Sequence, residues 1–161
     1  MKRLLSALSI IVLLATACSV LKARNHPPGL PLCYHNSKYD FTFYLPGSWQ
    51  GYSALIREWV PSHSETPVRG PMIVLRHPLW KTNSPCQDIR ILVFTRSQWE
   101  ADKQGKLSYG AGGAEGEVAH NSKYVFATWT RFCMEELKGW KEVEDIVSLN
   151  GTANAPHLQP E

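Results

Sequence analysis

The sequence predicts an α+β fold: an antiparallel sheet of about five or six strands with a short inserted helix and an amphipathic helix at its C-terminal end. Three observations carry that expectation. Between residues 40 and 132, short alternating or wholly apolar runs recur, separated by turn-forming residues. A capping-box spacing, Ser97-Gln98-Trp99-Glu100, breaks the series once. Leu137, Trp140, Val143, Ile146 and Val147 then fall on one helical face, with Glu and Lys opposite. Strand following strand argues against βαβ units and for antiparallel neighbours.

The sequence predicts an export signal over residues 1–17. Lys2 and Arg3 precede an apolar run from Leu4 to Leu14, and Ala15-Thr16-Ala17 leads into Cys18. That run is too short for a bilayer core, which takes about 20 apolar residues in a helix. Small residues ending at a cysteine resemble the bacterial lipoprotein box, although Leu14 lies four rather than three residues before Cys18. Lipid attached at Cys18 would hold the mature protein on the membrane, since each buried methylene contributes about 0.8 kcal/mol. Ser19 resembles the residue that directs such proteins to the outer membrane of Gram-negative bacteria. The expected address is the cell envelope, with a soluble periplasmic or secreted protein as the alternative. Residues 18–36, with Pro27, Pro28 and Pro31, read as a tether, residues 37–150 as one domain, and residues 151–161 as a disordered tail.

Within the domain, Phe41, Phe43 and Leu45 alternate as a half-buried strand, and Pro46-Gly47-Ser48 is a turn. Trp49 to Val60 is expected to pair back on that strand as a hairpin. Met72-Ile73-Val74-Leu75 suits a central strand, and Ile89 to Phe94 suits one covered on both faces. A short helix should follow Ser97 and stop at Gly105. Residues 108–116 are glycine-rich and irregular, Tyr124 to Phe132 reads as the last long strand, and Asn150-Gly151 as a helix C-cap.

Removing residues 1–17 takes away Lys2 and Arg3 and leaves 15 basic and 14 acidic residues. No basic stripe remains to neutralise phosphates, so no nucleic-acid partner is expected. The four cysteines form no C-x-x-C, and the six histidines show no ligand spacing, so neither a cofactor nor a metal is expected.

The words Gly70-Pro71, Arg76-His77-Pro78-Leu79-Trp80, Gln87-Asp88-Ile89, Val93-Phe94-Thr95, Gln98-Trp99 and Asn121-Ser122-Lys123-Tyr124-Val125-Phe126-Ala127 resemble a family of small exported bacterial proteins of unassigned function. Tyr39 to Tyr52 resembles the opening of that family, with Asp40 where glycine is usual. The same opening is similar to the PsbP-like α/β/α sandwich, which implies an antiparallel sheet flanked by helices. The family's members look to have other residues where this chain has Cys86 and Cys133. If the strands bearing them are antiparallel neighbours, their Cα atoms can approach within the roughly 4.4–6.8 Å a disulfide needs. Export favours such a bond. The expected pair is Cys86–Cys133 with Cys33 free, and Cys33–Cys133 is its rival.

Arg76, His77, Trp80 and Asp88 form the most concentrated polar cluster. A guanidinium, an imidazole and an indole at a strand end can grip an anion or a sugar-like ligand. The alternative is structural: Arg76 pairs with Asp88, His77 holds backbone in a tight loop, and Trp80 covers the sheet edge. Trp49, Trp99, Trp129 and Trp140 fit core positions, whereas Trp59 and Trp80 lie near loops where exposure would mark a binding face. No nucleophile elbow or paired-carboxylate pattern is present. The expected role is therefore non-catalytic, binding an envelope protein or small ligand; the alternative is a small envelope hydrolase using His77 or His120.

Overall fold

The computed structural model describes residues 32–64, 67–83, 86–108, 116–128, 139–147 and 157–161. Among them lie β1 (Leu32–Asn36), β2 (Phe41–Leu45), β3 (Ser53–Trp59), β4 (His63–Ser64), β5 (Gly70–Arg76) and β6 (Asp88–Thr95). Then come α1 (Arg96–Lys103), β7 (Leu107–Ser108), β8 (Glu117–His120), β9 (Tyr124–Thr128), α2 (Trp140–Val147) and β10 (Leu158–Pro160). The larger sheet has the order β3-β5-β6-β9-β8, a smaller one runs β1-β2-β10, and β4 pairs with β7. Every pairing is antiparallel.

Burial follows the alternation of side chains. Ile73, Leu75, Ile89, Ile91, Val93 and Phe126 of the larger sheet share a core with Phe41, Phe43 and Leu158 of the smaller one, with Trp49, and with Ile146 and Val147 of α2. The opposite face of the larger sheet places Leu92, Phe94, Val125 and Ala127 against Trp59 and against Trp99 of α1. Strand β6 is therefore covered on both sides, as its apolar run from Ile91 to Phe94 requires.

This architecture overturns the α+β expectation and, with it, the PsbP-like sandwich. The described residues are mostly β, and the two α-helices are eight residues each. Helices that short are marginal alone and persist because Trp99, Ile146 and Val147 are buried. Nor does the amphipathic helix end the fold, because β10 follows it and adds a strand to the smaller sheet. Leu32–Asn36, assigned to the tether, is a strand whose Leu32, Tyr34 and Asn36 face the core. Leu158–Pro160, assigned to the tail, is the other added strand; Leu158 alone reaches inside, which is too little for a periodic signal.

Three local expectations also change. No β2–β3 hairpin forms: Gly47–Trp49 is a 3-10 turn and Gly51 takes φ 90°, sending β3 to pair with β5 in the other sheet. Trp59 is not exposed but buried, its Nε1 donating to Val93 O at 2.9 Å. The cap of α1 is Thr95 rather than Ser97, with Gln98 N–H donating to Thr95 Oγ1 and Thr95 N–H to Gln98 Oε1. Threonine and glutamine satisfy the same reciprocal geometry as serine and glutamate. Gly105, at φ 70°, does stop the helix. The stretch 129–138, residues 109–115 and the pair Asn150-Gly151 lie outside the described residues.

Tyr52 ties the two sheets together by donating its hydroxyl to Cys33 O at 2.8 Å. Burial pushes its phenol up to about 12. A raised phenol favours the folded state fully below the unfolded value near 10 and loses that contribution as pH rises towards 12. Because the ring is only partly buried, the effect after screening is on the order of 1 kcal/mol. Denaturant titrations at stepped alkaline pH should show this decline in the native protein and a flatter profile in Tyr52→Phe.

Candidate functional site

Strands β5 and β6 bring the expected cluster together at their shared end. Arg76 and Asp88 are the last pair of the ladder, and His77 N–H continues it to Gln87 O at 2.9 Å. Arg76 Nε and Nη2 donate to the two oxygens of Asp88 at 2.9 and 2.8 Å, a bidentate pair. Its guanidinium lies 3.6 Å from the centre of the Trp80 ring. The hydrogen bond to Asp88 raises the Arg76 pKa further. Trp80 is positioned by its own N–H, which donates to His77 O at 3.0 Å.

His77 is buried and holds backbone on two sides. Leu79 N–H donates to its Nδ1 at 3.0 Å, so the ring proton sits on Nε2, which donates to Ser48 O at 3.0 Å. The ring meets Trp49 edge-on at 5.0 Å. The four residues thus gather as expected, yet their polar atoms are largely committed to one another and to the loop. The indole Nε1 atoms of Trp49 and Trp80 are buried without a partner, donors of the kind that ordered water usually satisfies.

The histidines proposed for hydrolysis sit in different settings. His77 has both nitrogens engaged by backbone. His120 is an exposed residue of β8 whose Nδ1 pairs with Glu117. A constellation the sequence reading missed lies on the smaller sheet, where Thr42 Oγ1 donates to Glu161 Oε1 at 2.7 Å and His35 Nδ1 is 3.1 Å from the same oxygen. Hydroxyl, imidazole and carboxylate are present, but the wiring is not that of a hydrolytic triad. There the imidazole bridges, using one nitrogen for the hydroxyl and the other for the acid. Here the hydroxyl donates straight to the carboxylate, and one imidazole nitrogen serves both. No sequence signal joined these residues, because Glu161 lies 126 positions from His35.

The exposed large apolar side chains have a simpler distribution. Among the described residues they are Ile56, Val60 and Leu79, at 61, 59 and 56% exposure. Ile56 is in β3, Val60 follows its last residue, and Leu79 is in the loop packed beside its start. That placement follows from Ser53 pairing with Arg76 and from Pro78 Cβ lying 3.9 Å from where a Cβ on Gly51 would be. Strand β3 stands at the end of the larger sheet, and no described strand pairs with its outer edge. A terminal strand with apolar side chains exposed beside it is a template for another strand.

Cys33 projects from β1 and Cys86 lies just before β6. Neither is a free thiol, which corrects the expectation for Cys33. Cys18 and Cys133 lie outside the described residues. Among the described residues, no group of three or more His, Cys, Asp and Glu is placed to hold a metal, and no helix is long and apolar enough to cross a membrane. Comparisons with family models, curated proteins and solved structures find no match.

Proposed function

We propose that this chain is an exported envelope protein, anchored by a lipid at Cys18, that acts as a non-catalytic binding module. Its contact face is β3 with the Pro78–Trp80 loop, where Arg76 and Trp80 form a supporting platform braced by Asp88 and His77. The carrying observation is that exposed Ile56 and Val60 belong to this terminal strand and its end, with exposed Leu79 in the loop beside its start. The cation–π stack of Arg76 on Trp80 holds the loop in place beside it.

Recovery of envelope proteins on the immobilised chain tests the reading. Leu79→Glu alters an exposed side chain and should leave the melting temperature nearly unchanged, since such surface changes stay within about 0.5 kcal/mol. Loss of a central apolar contact of at least about 1.4 kcal/mol corresponds to tenfold weaker capture. Equal capture by the native protein and the variant rejects the face. The address is checked by the mass of the mature N-terminus, which should be an acylated Cys18.

The expected Cys86–Cys133 disulfide does not fit the same proposal: Cys33 is no free thiol, and with Cys86 and Cys133 joined only Cys18 would be left to bond it, which excludes a lipid there. Of the two, the lipid at Cys18 is kept. Peptide mapping without reductant tests the choice, and Cys33 joined to Cys18 would overturn the anchor.

A further inference from the structure

We infer that the occupant of the β3 edge is a second copy of this chain, paired antiparallel about a two-fold axis at Ile56. The inference rests on the binding-face reading above and names its partner.

The argument begins with the side chains of β3. Trp59 is buried against Trp99 and Phe94, so Leu55 and Arg57 share its face, and Ala54, Ile56 and Glu58 share the other. Ile56 pairs with Ile73, which lies in the core between the larger sheet and the smaller one. Ile56 itself lies beyond the cover of the smaller sheet and is exposed.

A two-fold axis joining two such edges into one continuous sheet is perpendicular to that sheet and keeps each face on its own side. Residues opposite each other must then point the same way, so the axis runs midway between one residue of β3 and its own copy. An axis at Arg57 or Glu58 sets like charges directly opposite, which is destabilising. An axis at Leu55 leaves Ile56 against the small Ala54. With the axis at Ile56, that side chain meets its own copy, Arg57 faces Leu55, and Glu58 faces Ala54. Val60 then faces Tyr52, beside Gly51 and the Pro78–Leu79 loop of the second copy. Exposed Ile56 and Val60 both meet apolar partners in this one register, with Leu79 in the loop beside the outer contact, and symmetry makes that contact twice. The outward-pointing backbone groups of alternate residues along β3 supply the hydrogen bonds.

Sedimentation equilibrium over a concentration series, on the purified protein, should find a dimer. Ile56→Lys places a charge at the axis and should weaken dimerisation at least about tenfold while leaving the fold intact, because lysine on an edge strand opposes pairing. Ile56→Cys supplies a readout of register. Directly opposite Cβ atoms lie about 4.5–5.5 Å apart, so mild oxidation should link the two copies. Glu58→Cys, whose counterpart lies about four residues further along, should not link. A native protein that is monomeric throughout, a dimer unchanged by Ile56→Lys, or equal linking at 56 and 58 overturns the inference. If the protein is monomeric yet Leu79→Glu still loses an envelope protein, the dimer falls and the binding face stands.

Discussion

Gly70→Ala should destabilise the protein by about 3 kcal/mol, although it adds a single methyl group. Gly70 opens β5 directly across from Trp59, and a Cβ there would lie well inside 3.0 Å of three atoms of the indole. Its backbone is not in the left-handed region, so alanine meets no torsional penalty and the cost is steric alone. The indole has nowhere to go. It is 1% exposed, its Nε1 is bound to Val93 O, and it stacks on Phe94 with centroids 4.6 Å apart. Forcing atoms into a packed interior typically costs about 1–3 kcal/mol, and losing the indole hydrogen bond adds about 1. Denaturant midpoints of Gly70→Ala, Trp59→Leu and the double variant separate the causes. If the methyl acts through the ring, its cost should largely disappear when leucine replaces Trp59. Additive losses would place the strain elsewhere.

The strands that could be read in the sequence are those that bury a full face. Phe41, Phe43 and Leu45 alternate because one face of the smaller sheet meets the shared core, and β6 is apolar from Ile91 to Phe94 because both its sides are covered. What could not be read were the edges. Strand β3 reads as a good strand, but its charged and apolar side chains are nearly all exposed, so burial did not set its partner. Its pairing with β5 depends on a 3-10 turn and on Gly51, details with no periodicity to reveal them. Strands β1 and β10 lie close to prolines and are short, and they are held by the sheet they complete more than by any preference of their own. The fold class failed for the same reason, because helical signals are strong locally and added edge strands are nearly silent.

The candidate site divides along similar lines. Arg76, His77, Trp80 and Asp88 lie together because a β-ladder joins residues equally spaced from a turn, and Arg76 and Asp88 flank the same loop. Whether their valences were free could not be judged without the loop's backbone, and it is Leu79 N and Ser48 O that engage His77. His35, Thr42 and Glu161 escaped notice because their meeting depends on β10, which lies far away in sequence.

That last strand carries the other large expected effect. Deleting residues 157–161 should cost about 4–6 kcal/mol, enough to unfold much of a domain whose total stability is typically about 5–15. Leu158 is 1% exposed among core residues, and removing a buried leucine side chain costs about 2–5 kcal/mol. The deletion also frees the edge of β2. Tyr44 N–H loses His157 O at 2.7 Å, and Asp40 O loses Glu161 N–H at 2.9 Å. Each net hydrogen bond contributes about 1 kcal/mol, partly recovered by water. Leu158→Ala isolates the core term and should account for more than half the loss. Glu161→Gln keeps the backbone and disturbs only the contacts to Thr42 and His35, at surface cost of about 1 kcal/mol or less. Thermal melts of the three variants should therefore rank deletion, Leu158→Ala and Glu161→Gln in order of decreasing damage. A deletion no worse than Glu161→Gln would mean that β10 lies on the smaller sheet without stabilising it.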